Sequence, residues 1–158
     1  MFRYNYANDD PFNTKGERNV KNADTFYYNC GGYALGTFSW YCPHTEQEKY
    51  YDYAFTNEIQ ACVKTTKAVA QMCIEFEGRI RVIESLKDLN NKTEYAVAFR
   101  ISSRNDFHFI KRSKYGRWTH KRGSCDCIER ITKKEVFETK WGNGYYDGPI
   151  ILLAVKNN

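Results

Sequence analysis

No apolar run in the chain is long enough to cross a bilayer. The longest spans Ile150 to Val155, far short of the ~18 residues of a helical span. The opening stretch, Met1 to Pro11, is polar and aromatic and has no apolar core of a secretory leader. A cytoplasmic protein with no secretion signal and no membrane partner is therefore expected. No CxxC pair occurs among the cysteines at 30, 42, 62, 73, 125 and 127. In a reducing compartment they are expected as thiols rather than disulfides. Cys42, His44, Cys125 and Cys127 make a Cys3His set, but not at the spacing of a common zinc module. Neither a metal nor an organic cofactor is expected. A dense basic stripe is also missing. The net charge of +5, from 24 Lys+Arg against 19 Asp+Glu, suits an acidic partner but is not the footprint of a nucleic-acid binder. Histidine is scarce, with three in 158 residues, so imidazole chemistry has few candidates.

Aromatic side chains, by contrast, are plentiful. They make up 16% of the chain, 13 of them tyrosines, so several tyrosines must lie near the surface or line a groove. The apolar and charged fractions are those of a folded protein, and the length suits one domain with its own core.

Residues 1–25 carry turn formers and charge without a sustained period, and read as an irregular N-terminal arm. Residues 26–158 read as the single folded domain. A short helix begins at Cys30, with Tyr33, Ala34, Leu35 and Phe38 on its apolar face. Gly31 and Gly32 weaken that helix, so close approach of another backbone or of a substrate is expected there. Thr45 to Ala54 suggests a polar helix with a capping box. The strongest helical period follows: Ile59, Cys62, Val63, Thr66, Val69, Ala70, Cys73 and Phe76 share one face, with Asn57 and Gly78 as caps. Strands are predicted over 80–86, 94–102, 106–111 and 117–121, with a turn at Lys114-Tyr115-Gly116. A short helix over 133–138, a Gly/Tyr loop over 141–148 and a buried closing strand over 149–155 complete the chain. Helices first and an antiparallel sheet after them is an α+β layout.

Cys30 is the one cysteine at a predicted helix start. Backbone N–H groups and the helix dipole there favour thiolate, so a lowered pKa is expected. A thiolate nucleophile needs an imidazole partner. His108 lies inside a predicted strand, and His120 lies twelve residues further on, across the Lys114–Gly116 turn. Adjacent strands can set the two rings side by side, so that His120 orients His108. The plainer alternative is a core cysteine and two structural histidines. The basic residues Lys111, Arg112, Lys114, Arg117, Lys121 and Arg122 form either a solvated hairpin face or a rim for acidic substrates.

These segments carry a resemblance. Asn29-Cys30-Gly31-Gly32-Tyr33 resembles the Asp-Cys-Ser-Gly-aromatic signature of the NlpC-like branch of papain-fold cysteine peptidases. Tyr33-Ala34-Leu35, Asp106-Phe107-His108-Phe109 and Trp118-Thr119-His120-Lys121-Arg122-Gly123 are similar to a papain-like subgroup found in phages and bacteria. The resemblance covers roughly residues 26–156. It implies N-terminal helices packed on an antiparallel sheet, and a hydrolase cleaving amide or isopeptide bonds of a peptide or protein, with peptidoglycan stem peptides one substrate class. It implies Cys30 as nucleophile, His108 as base and His120 as orienter. Gly31, Gly32 and Trp118 would then line the substrate. The family's Asp is Asn29 here, its Ser is Gly31, and the expected oxyanion Gln falls at Asp24, which cannot donate when ionised. The Cys30 N–H with a second donor, Tyr28, Tyr27 or Tyr6, would replace it. The same scaffold also serves deamidases and acyltransferases. A catalytically idle version would be a binding protein, such as a phage inhibitor of a host defence protein.

Overall fold

The computed structural model describes residues 18–21, 28–43, 58–104, 106–122 and 127–157. Two helices precede most of the sheet: α1 (Cys30–Leu35) and α2 (Glu58–Glu75). Strands β1 (Arg18–Lys21), β2 (Ile80–Ile83), β3 (Glu94–Ser102), β4 (Asp106–Arg112), β5 (Trp118–Lys121), β6 (Cys127–Ile131) and β7 (Ile151–Lys156) form one sheet, ordered β1-β6-β5-β4-β3-β7-β2. Every ladder is antiparallel. A third helix, α3 (Lys133–Val136), is a single turn. The chain is α+β. No described helix is long and apolar enough to cross a membrane.

Strand β3, with nine residues, is the longest in the sheet. It pairs with β4 on one side and β7 on the other. Its buried run, broken only at Tyr95, means that both faces of the sheet are covered rather than one. Val97, Phe99 and Ile101 join Phe107, Phe109 and Leu153 beneath α1 and α2. Ala96 and Ala98 join Ile110, Trp118, Leu152, Val136, Trp141 and Tyr146 on the far side. The alternation of the strands thus sorts two cores. The β4–β5 turn closes at Gly116, whose φ of +85° requires a residue without a Cβ.

Three features differ from the sequence reading. Strand β1 lies inside the expected arm and extends the sheet beyond β6. Strand β6 falls where no element is predicted. The buried closing strand β7 lies between β3 and β2. Helix α2 is rotated from its predicted face. Ala61, Lys64, Thr65, Ala68, Val69 and Met72 point inward, while Ile59 and Val63 are 75% and 48% exposed. Lys64 can lie inward because its aliphatic stem packs like an apolar side chain, and Thr65 satisfies its hydroxyl on the Ala61 carbonyl at 2.7 Å. The helix predicted over 45–54 lies outside the described residues.

Candidate active site

Asn29 organises the start of α1. Its Oδ1 accepts from the N–H of Gly32 and of Tyr41, both at 3.1 Å, and its Nδ2 donates to the Tyr41 carbonyl at 2.7 Å. An aspartate could make the first two bonds but not the third, which explains why Asn suits this position. The chain beyond the helix therefore folds back onto its first turn. Thr37 and Phe38 both donate to the Gly32 carbonyl at 3.1 Å. A Cβ on Gly32 would lie 1.9 Å from the Ser39 carbonyl oxygen, and one on Gly31 would meet Phe109 and Tyr41 at 3.2 Å. The close approach that these glycines permit is by the protein's own backbone and rings. Of the two neighbours expected there, another backbone is the one found.

The two histidines meet. His108 Nε2 and His120 Nδ1 are 2.7 Å apart, and both residues are buried. Strands β4 and β5 pair at Lys111↔Thr119 and Arg112↔Trp118, a register that carries both imidazoles to the same face. The His108 ring lies against Tyr146, with centroids 5.4 Å apart, and edge-on to Trp141. One proton serves the nitrogen pair, so one ring donates and the other accepts. Burial, together with the Arg122 charge, holds His120 down at about 3 and His108 well below its ordinary value. Both rings are neutral at neutral pH.

The chain matches no protein-family model, no curated protein and no solved structure.

Cys30 lies on the helix side of the sheet. It packs with Phe107 and Phe109, whereas the His108 ring points to the opposite face. The thiol faces the backbone N–H of Phe109, which favours thiolate. Thiol and imidazole thus flank the peptide that joins His108 to Phe109. The expected lowering of the Cys30 pKa does not hold. Burial pushes the thiol up to about 12, Asp106 and Cys42 add to the rise, and the Phe109 N–H and Lys121 oppose it only in part. A helix of six residues contributes too weak a dipole to offset complete desolvation.

Tyr28 is buried beside Phe38, ring centroids 5.3 Å apart. Trp118, expected at the substrate cleft, is instead 3% exposed and packs edge-on to Phe137 in the far core. Tyr6, Asp24, Tyr27, His44 and Cys125 lie outside the described residues. Among the described residues no three metal-type ligands cluster.

Several polar residues surround the histidines. Asp106 is buried on the His108 face, and its Oδ2 accepts from the Tyr145 hydroxyl at 3.1 Å. Arg100, opposite His108 in the β3–β4 register, donates to the carbonyls of Glu138 and Thr139 and stacks on Trp141. Burial brings its pKa down to about 10. Arg122 and Glu129 form a buried ion pair at 2.9 Å. The 141–146 loop, closed by the Trp141–Tyr146 bridge, is what lays these rings over His108. The basic hairpin is not one solvated face. Lys121 is fully buried, and Lys111 lies 5.3 Å from the Tyr33 ring and 4.8 Å from the Tyr95 ring.

Proposed function

We propose that the protein is a papain-like cysteine hydrolase acting on amide or isopeptide bonds of a peptide or protein, with Cys30 as nucleophile and His108 and His120 as the imidazole relay. The observation that supports this reading is that Cys30 and the His108 ring lie on either side of one peptide of β4. The Cys30 thiol abuts the peptide at His108–Phe109, and His108 is 2.7 Å from His120.

The thiol and both imidazoles are uncharged at rest, so the proton leaves the thiol as the sulfur attacks rather than beforehand. At rest the His108 ring lies on the face opposite the thiol, against Trp141 and Tyr146, so this reading requires it to come round to the Cys30 side of β4 before Nδ1 can accept the proton. Sulfur adds to the carbonyl carbon, and the carbonyl electron pair moves to oxygen. Collapse of this adduct breaks the C–N bond, and the leaving amine takes the proton back from His108. Water, deprotonated by the same imidazole, then releases the acid and restores the thiol.

The test is hydrolysis of a panel of peptide amides, including peptidoglycan stem peptides, with mass spectrometry to trap an acyl group on the protein. Cys30→Ala and His108→Ala are expected to abolish turnover, and the acyl adduct should map to Cys30. Full activity in Cys30→Ala refutes the reading. One observation favours a catalytically idle binding scaffold instead: the thiol is 4% exposed and the rings point to the far face. In that case no amide of the panel is hydrolysed and no acyl adduct forms on Cys30.

A further inference from the structure

Strand β5 sends consecutive side chains to opposite faces. His120 goes to His108. Thr119 turns toward α1, where its Oγ1 is 2.7 Å from the Tyr33 hydroxyl. Lys121, two residues on, shares the Thr119 face. It is fully buried, and its Nζ lies 5.1 Å from the centroid of the Tyr28 ring, two positions before Cys30.

We propose that Lys121 is the cationic partner of Cys30, its ammonium stabilising the thiolate and then the oxyanion formed on a substrate carbonyl. This rests on the reading of Cys30 as nucleophile. It fills the role left open at Asp24, where the papain-type amide donor is absent.

The charge environment of the thiol agrees. Asp106 on β4 and Cys42 beyond α1 oppose ionisation of Cys30, while Lys121 on β5 and the Phe109 N–H on β4 favour it. Lys121 is the cation among these groups. The imidazoles, neutral and turned to the other face, supply no positive charge at rest. During attack the negative charge moves from sulfur to the carbonyl oxygen, a short displacement on the α1 side of the sheet. A buried ammonium there stabilises both positions with little solvent screening. No proton need leave Lys121. It pairs with the developing oxyanion and is released when the carbonyl reforms and the C–N bond breaks. The Tyr28 ring, whose π face attracts the ammonium, holds it in place between turnovers. Tyr28 is thus a positioning residue for Lys121 rather than itself the second oxyanion donor.

The experiment measures iodoacetamide alkylation of each cysteine by peptide mass mapping in the full-length protein, at about pH 9, where a thiol of higher pKa reacts in proportion to its thiolate fraction. In Lys121→Met the Cys30 rate is expected to fall about tenfold, while Lys121→Arg, which keeps the charge, stays within about threefold of wild type. Buried Cys127 should stay protected to the same degree in all three proteins, which confirms that they are folded. A Cys30 alkylated equally fast in wild type and in Lys121→Met overturns the role of Lys121 and leaves the nucleophile reading intact. Absence of any amide hydrolysis and of any acyl adduct on Cys30 in wild type overturns the nucleophile reading, and the proposed partnership with it.

Discussion

Replacing Gly32 with alanine tests how the nucleophile-bearing turn is held. The added Cβ would lie 1.9 Å from the Ser39 carbonyl oxygen, while a relaxed carbon–oxygen contact is about 3.3 Å. The return loop must therefore move by more than about 1 Å. It is not free to do so. Thr37 and Phe38 donate to the Gly32 carbonyl, and Asn29 holds Tyr41 through both its donor and its acceptor. Overpacking costs about 1–3 kcal/mol, and each hydrogen bond lost adds about 1 kcal/mol. Alanine's better helix propensity returns about 1 kcal/mol. Combining these terms gives a net destabilisation of about 2–4 kcal/mol for Gly32→Ala. Gly31→Ala is the internal comparison. Its closest contacts, at 3.2 Å, include the Phe109 and Tyr41 rings, and a shift of a few tenths of an ångström relieves them, so the change should stay within about 1 kcal/mol. Urea denaturation followed by tryptophan fluorescence measures both. Gly32→Ala within about 0.5 kcal/mol of wild type would refute the account of this turn.

Acid should destabilise the protein before the carboxylates titrate. The folded-state pKa values of His108 and His120 are depressed below 6.5, His120 to about 3. Their contribution is thus complete above about pH 6.5 and declines as the pH falls toward their folded values, with a slope of up to about 1.4 kcal/mol per pH unit for each ring. Denaturation midpoints between about pH 6.5 and 5 read this slope, and a His108→Gln/His120→Asn double variant should flatten it. Arg122→Met removes the guanidinium that Glu129 accepts from within a buried pair and should cost about 3–5 kcal/mol. In Arg122→Met/Glu129→Leu most of that loss should be recovered. An unchanged melting temperature in the single variant would show that the pair contributes nothing.

The β3–β4–β5 meander could be read from the sequence because its alternation is unbroken and Gly116 marks the turn. The same spacing set His108 and His120 on neighbouring strands. Strand β6 could not be read in this way. Cys127-Ile128-Glu129-Arg130-Ile131 mixes two charges into five residues, and Glu129 is buried with Arg122 paired to it. Strand β1, with Arg18 and Lys21 at its ends, offers no apolar alternation either. The face of α2 was misread because apolar residues were assigned inward by type. Ile59 and Val63 remain at the surface, while Thr65 is buried through a local hydrogen bond. The state of Cys30 was the hardest to foresee. Its pKa depends on how completely the return loop and β4 exclude water, and that property belongs to packing between segments distant in the chain.

The position of β7 between β3 and β2 sets the order in which the protein can assemble. Strand β2 is synthesised early, yet its neighbour in the sheet is the last strand of the chain. A nascent polypeptide can close the β3–β4–β5 hairpins as they emerge, but the amides of β2 must wait, unprotected, for β7. Completion therefore falls to one late, long-range insertion event.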